Sequence, residues 1–254
     1  MTDAMTGALL TEQRGRVLLV ILNRPRDRNA INTEITDGLA AAFSLLDGAD
    51  ELSVGVLAGA GDCFCAGMDL KEFSRSGPPR GLARLLRQGS AKPMIAAIEG
   101  HALGGGLELA LTCDLLVASR TAELAIPEAR VGLFAAGGGL LRLPRQLPYA
   151  LAAEIAFTGE SITAELAHHH GLVNRLSEPG AALAGAMELA DRVAGSAPLS
   201  LAATKAVLRG MQGRTEDEFW DYQRPWAKSV FSSADAREGA RAFAEKRDPE
   251  WTGG

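Results

Sequence analysis

The stretch IEGHALGGGLELAL at residues 98–111 constrains the fold of this chain more than any other. An apolar run, residues 94–98, leads into three consecutive glycines, and then Glu108 stands alone among leucines and alanines. Glycine loses more conformational freedom on folding than any other residue. Three together belong where backbone must approach something closely, or where bare N–H groups must point outward. The first turn of a helix leaves such N–H groups without intrahelical partners, and they favour negative charge. The spacing predicts a strand, a glycine turn and a helix N-terminus, with one carboxylate a step inside the helix. Two readings stand at this point. One is a site where an anion, or a developing one, meets an acid/base group. The other is a tight turn with a solvated or paired glutamate.

The remaining pattern surrounds this stretch with an α/β body. Apolar runs at 8–11 and 17–22 flank Arg14-Gly15 and predict a β-hairpin. Residues 23–30 form a polar loop with three arginines, either a solvated turn or a basic rim for a phosphate. Asn32 is placed to cap a helix whose apolar face is Ile35, Leu39, Ala42, Phe43 and Leu46. Strands are predicted at 54–57, 114–118 and 123–128, the last ending at Pro127 and Glu128. Strand, helix and strand thus alternate, as in α/β folds. Residues 74–81 read as a Pro/Gly/Ser loop before a short helix carrying Leu82, Leu85 and Leu86, and 132–139 as a glycine-rich loop. Beyond about Leu147 helical patterns dominate, at 149–158, 163–170, 181–196, 199–211, 216–229 and 233–247, with one strand-like run at 172–176. Ser232-x-x-Asp235 has the form of a capping box.

Several function classes are disfavoured. A net charge of −5 provides no basic surface for nucleic acid or an anionic membrane. No run approaches the roughly 20 apolar residues of a membrane span, and residues 1–10 lack the basic and apolar regions of a secretory signal. Three cysteines, an odd and sparse set, fit reduced thiols in a cytoplasm. Cys63-x-Cys65 has neither zinc-knuckle nor thioredoxin spacing. After Gly59-x-Gly61 a dinucleotide fingerprint needs a third glycine where Phe64 stands. No Gly-Lys-Ser/Thr follows the 132–139 loop, and no G-x-S-x-G elbow exists. His168, His169 and His170 are adjacent on a predicted helix and point in different directions, so no metal is expected there. The acids remain. Glu108 and Glu128 lie 20 residues apart with a strand between them. Two backbone N–H groups from separate turns can form an oxyanion hole, and two carboxylates can serve as general acid and base. Together they suit an enolate made from an activated carbonyl.

The motifs resemble those of the crotonase, or enoyl-CoA hydratase, family. Asn23-Arg24-Pro25 with Asn29-Ala30 resembles its first CoA-binding loop, and Phe64 to Lys71 its F-x-A-G-x-D-[IL]-K segment. Gly100 to Ala110 resembles the G-x-A-x-G-G-G-x-E-L-A signature. Pro127-Glu128 followed by Gly132-Leu133 resembles P-E-x-x-x-G-[LI], and Ala242 to Arg247 the C-terminal A-F-x-E-K-R. The order is that of the family, and the resemblance covers about 9–253. Where the family often has P-G-A-G-G-x-x-R-L, this chain has Ala135-Ala136-Gly137-Gly138-Gly139-Leu140-Leu141-Arg142-Leu143. With Met68-Asp69-Leu70, that variation resembles the branch of carnitinyl-CoA dehydratase and mycobacterial-type hydratases.

The resemblance implies a crotonase-like ββα superhelix core over 1–195 and a helical C-terminal trimerisation region over 196–254. It implies reversible hydration of a 2-enoyl-CoA thioester to a 3-hydroxyacyl-CoA. The alternatives are an isomerase or thioester hydrolase of the same family, or a non-catalytic acyl-CoA-binding protein. By position, the N–H groups of Met68 and Gly105 would form the oxyanion hole, with Gly104 and Gly106 giving the turn room. Glu108 would handle the water and Glu128 the C2 proton. Coenzyme A or the acyl chain would be met by Arg26, Asn29, Ala30, Ala66, Met68, Asp69, Leu70, Lys71 and Gly104. Phe231 and Lys246 would reach a CoA site, that of a neighbouring subunit included. No cofactor is expected beyond the coenzyme A of the substrate. The expected assembly is a homotrimer or a dimer of trimers, in the cytoplasm, without nucleic-acid or membrane partners.

Overall fold

The valine- and leucine-rich run Val17–Leu22 is buried along almost its whole length, as a strand covered on both faces must be. It is the second strand, β2. The first, β1 (Leu9–Arg14), pairs with it antiparallel. Gly15 turns between them at φ +58°, where a side chain would be strained. The computed structural model describes residues 7–254, so the first six residues of the 1–10 stretch read for a secretory signal lie outside the described residues.

From β2 the chain passes through α1 (Thr33–Gly48), β3 (Val54–Gly59), α2 (Leu70–Ser76), α3 (Leu82–Gln88) and β4 (Met94–Ile98). Next come β5 (His101–Leu103), α4 (Gly105–Ala110), β6 (Leu115–Ser119), β7 (Glu123–Ala125), α5 (Gly139–Gln146) and α6 (Tyr149–Thr158). The remainder is β8 (Ile162–Thr163), α7 (Ala164–His169), β9 (Arg175–Ser177), α8 (Ala182–Ala194), α9 (Pro198–Gly210), α10 (Glu216–Phe231) and α11 (Ala234–Glu245). Six strands form the main sheet in the order β1-β2-β3-β4-β6-β9, parallel from β2 onward. A second sheet has the order β5-β7-β8. The fold is therefore a mixed α/β structure with a parallel sheet at its core and a helical C-terminal region.

Strand alternation builds the two faces of the main sheet. Leu18, Val20 and Leu22 of β2 point to one face, with Leu57, Ala96, Ile98 and the buried side of α1. Val17 and Leu19 point to the other, with Val54, Val56 and Ile95, against Ala186 and Ala190 of α8. Helix α1 begins where Asn32 caps it, its side chain accepting the Ile35 N–H at 2.9 Å. One ion-pair group ties α9 to the sheet: buried Lys205 lies 2.6 Å from the Asp114 carboxylate, and Arg209 pairs with the same carboxylate at 3.0 Å.

The structure corrects several sequence expectations. A short strand, β5, stands between β4 and the glycines, so the chain crosses to the second sheet before α4 begins. Residues 70–76 are helical, which shortens the loop predicted at 74–81; Asp69 caps that helix by accepting the N–H groups of Lys71 and Glu72. Helix α5 opens at Gly139, the end of the predicted glycine loop, and includes Pro144 in spite of its lost N–H. The cap of α11 is Ser233, not Ser232, because Ser233 accepts the Ala236 N–H. The Asp235 carboxylate turns instead to Thr252 and Gly253. The reciprocal capping box belongs to α10, between Thr215 and Glu218.

Candidate active site

Residues 63–69 run beside the β5 segment like an added strand. Cys65 N–H donates to His101 O and Leu103 N–H to Cys65 O, each at 3.0 Å. The next peptide is held from the other side, where Ile31 N–H donates to Gly67 O at 2.7 Å and Asp69 N–H to Ile31 O at 2.9 Å. Met68 is thus fixed between two backbones. The turn into α4 comes up against it. A Cβ on Gly105 would lie 3.5 Å from Met68 N, and one on Gly67 would lie 3.4 Å from Gly105 N. The structure therefore brings together the two amides that the sequence places 37 residues apart.

The flanking glycines do the steric work. Gly104 sits at φ +54°, ψ −126°, a conformation side chains avoid, and a Cβ there would reach within 3.0 Å of Glu128 Oε1. A Cβ on Gly106 would overlap Cys65 O and stand 2.8 Å from Cys65 Cβ. Gly105 itself has room for a methyl group. Its neighbours, not Gly105, make the close approach possible.

Glu108 follows on α4 and is almost wholly buried, at 4% exposure. Its Oε1 accepts the Gly139 N–H at 2.9 Å. Burial pushes its carboxyl above the usual glutamate value, against the amides of Gly139 and Gly137 and the Arg142 charge. Glu128 follows Pro127, on a 3₁₀ turn, and is half-buried. Its Oε2 is buried with no hydrogen-bond partner among the described residues. Burial raises this carboxyl too, and the charge of Glu108 raises it further. The two acids are near enough to feel each other, and Glu128 borders the Gly104–Gly105 turn. This is the association the sequence motifs implied.

A cleft of about 350 Å³ opens beside the amides, lined by Arg26, Asp27, Arg28, Ala30, Ala66, Met68, Asp69, Leu70 and Lys71. Of the residues expected to meet coenzyme A, four do not line it. Gly104 lies next to Glu128 instead. Asn29 is fully buried behind the wall; its Oδ1 accepts Arg24 N–H, and its Nδ2 donates to Ala60 O and Cys63 O. Phe231 ends α10 and Lys246 follows α11, both away from the cleft lining of their own chain. Arg24, which the sequence places in the CoA-loop motif without a role of its own, braces the wall by donating to Ala30 O at 2.6 Å and Asp69 Oδ2 at 3.0 Å. Burial alone would raise the Asp69 carboxyl, but hydrogen bonds from Glu72 N–H and Arg24 hold it below its usual value. Gly137, Gly139 and Arg142 were also visible in the sequence only as a glycine loop and an arginine. The Gly139–Glu108 bond spans 31 residues in sequence and runs between separate elements, and Arg142 reaches the same loop through Gly137 O.

The remaining polar clusters carry no comparable geometry. Cys65 and Cys113 are buried and their thiols are pushed up to about 12 by burial. His168 Nδ1 lies 2.8 Å from Val173 O. Among the described residues no group of three or more His, Cys, Asp and Glu side chains stands where it could hold a metal ion. No described helix is long and apolar enough to cross a membrane.

Comparison with known proteins supplies independent findings. The family described as enoyl-CoA hydratase/isomerase matches residues 12–254. The enoyl-CoA hydratase EchA19 of Mycobacterium tuberculosis is 39% identical over 95% of each chain. The carnitinyl-CoA dehydratase of Proteus mirabilis is 39% identical over 98% of this chain and 100% of its own. The crystal structure of enoyl-CoA hydratase EchA1 from Mycobacterium marinum superposes with a TM-score of 0.94, at 47% identity, over 98% of this chain and 100% of its own.

Proposed function

This chain belongs to the enoyl-CoA hydratase/isomerase family, and on that premise we propose that it adds water reversibly across the 2,3 double bond of a 2-enoyl-CoA thioester. The observation that carries this reading is the pair of desolvated carboxyls, Glu108 and Glu128, the second raised further by the charge of the first, beside the paired amides of Met68 and Gly105. In this reading the cleft from Arg26 to Lys71 receives coenzyme A, with the arginines and Lys71 toward its phosphates. The thioester carbonyl points at the two N–H groups.

The chemistry follows from where charge develops. Water oxygen bonds to C3, and the π electrons move toward the thioester oxygen. That oxygen becomes enolate-like, and two fixed donors stabilise it without reorganising; losing one such donor typically costs about 10²–10³-fold in rate. One carboxyl must be ionised to take the water proton and one protonated to deliver a proton to C2. Two adjacent carboxyls cannot easily both ionise. At Glu108 several amides and Arg142 oppose the effect of burial, whereas at Glu128 only its own backbone amide does. Glu108 is accordingly the base for water and Glu128 the acid for C2. Dehydration runs the same steps backward, the direction for which the Proteus relative is named.

The reaction needs no cofactor beyond the coenzyme A of the substrate. The same reading takes 1–195 as the catalytic core and 196–254 as a trimerisation region, in a cytoplasmic homotrimer or dimer of trimers, with Phe231 and Lys246 turned to a neighbour's site. The test is an enoyl-CoA panel, from short to ring-bearing acyl groups, followed by loss of the conjugated thioester absorbance. Hydration by the wild type, cut about 10²–10⁴-fold in Glu108→Gln and in Glu128→Gln, is the expected result. Full activity in both variants sinks the assignment. Double-bond migration without water uptake would make the protein an isomerase.

A further inference from the structure

The glycine segment that holds Glu108 is itself held by one side chain. Arg142, on α5, donates from Nη1 to Gly137 O at 3.1 Å and from Nη2 to Leu86 O at 2.6 Å. Leu86 belongs to α3, and Gly137 to the loop before α5. Gly139 N–H donates to Glu108 Oε1 at 2.9 Å, and a Cβ on Gly137 would stand 2.6 Å from Glu108 Oε2. Gly138, between them, lies at φ +107° directly against the guanidinium. A planar fork that grips two carbonyls on separate elements sets where the loop sits over the carboxylate.

We propose that Arg142 is a positioning residue for the hydration reaction: it clamps the 137–139 loop to α3 and so fixes the orientation of the Glu108 carboxylate toward the reacting water. The proposal rests on the hydratase reading. Charge supports it in the same sense. The Arg142 cation opposes the effect of burial on Glu108, after the stronger amides of Gly139 and Gly137. The other charged or titratable groups bearing on the pair are Glu128 beside Glu108, and Arg209, Arg145 and Cys113 beside Arg142.

The test uses the full chain and two substitutions. Arg142→Lys keeps a cation but offers a single ammonium for two carbonyls; Arg142→Gln loses the charge as well. Both are expected to lower kcat about tenfold or more with KM within about threefold, since small misplacements of a reacting group are costly. Only Arg142→Gln should move the acid limb of the kcat–pH profile upward, because only it removes the charge. An unchanged kcat in both, or a loss confined to KM, overturns the proposal. Arg142→Lys decides the matter if Arg142→Gln does not fold. Carbon-13 NMR of labelled glutamate carboxyls, with the Glu108 signal identified by its loss in Glu108→Gln, reads the clamp without turnover. Its titration midpoint should rise in Arg142→Gln, and an unmoved midpoint overturns the proposal. If the wild type hydrates no enoyl-CoA, the hydratase reading falls while the NMR titration still decides whether Arg142 governs Glu108.

Discussion

At the residue scale, Glu108 is held in a state that folding disfavours. Its carboxyl titrates above the usual glutamate value because burial penalises the charge. Between the pH where the unfolded chain releases this proton and the higher pH where the native state does, the native state binds more protons. Stability therefore falls as pH rises through that window. Removing the ionisable group removes the penalty. Glu108→Gln, whose amide oxygen can still accept the Gly139 N–H, is expected to raise Tm at neutral pH. The gain should vanish below about pH 4, where the glutamate is neutral in both states. Calorimetry at the two pH values checks the sign, and a lower Tm for the variant at neutral pH contradicts it. The same substitution should stabilise the fold while cutting turnover sharply, the usual relation between a strained site and its scaffold.

At the element scale, the short helix α4 owes its position to two glycines that are not the proposed donor. Gly106→Ala drives a methyl group into Cys65 and must push α4 away, at a cost of about 1–3 kcal/mol. A displaced Gly105 amide should also cut kcat about 10²-fold. Gly105→Ala meets nothing nearer than 3.5 Å and should melt close to the wild type. Comparing the two variants by thermal melts and hydration rates separates packing from chemistry. Much at this scale was legible in the sequence. The α6 span, the Asn32 cap and the hairpin of β1 and β2 all follow from local pattern. The misses have physical causes. β5 is too short for a period-two pattern to register, and only its pairing with β7 and with the Cys65 segment defines it. α5 contains Gly139 and Pro144, poor helix residues that burial of Gly139 and Leu143 against the core overrides. Motif order brought Glu108 and Glu128 forward as a pair, but no spacing could reveal the orphaned Oε2 of Glu128 or the reach of Arg142 to α3.

At the scale of the whole molecule, the helical region is keyed to the sheet by the Asp114 ion pairs. Lys205 is 7% exposed, so removing its anionic partner leaves a charge in the interior. Asp114→Asn is expected to cost about 3–5 kcal/mol in denaturant unfolding. Lys205→Met, which removes the buried charge, should cost less. The main sheet has another property: its strands lie side by side in chain order. During synthesis the newest strand is therefore always the open margin of the sheet. β6 ends at Ser119, and its partner β9 begins at Arg175, 56 residues later (175 minus 119). At a ribosomal pace of about 5–20 residues per second, that margin waits about 3–11 s for its neighbour. Val117 and Ala118, fully paired in the finished molecule, are then the backbone a chaperone must shield or a second nascent chain can capture.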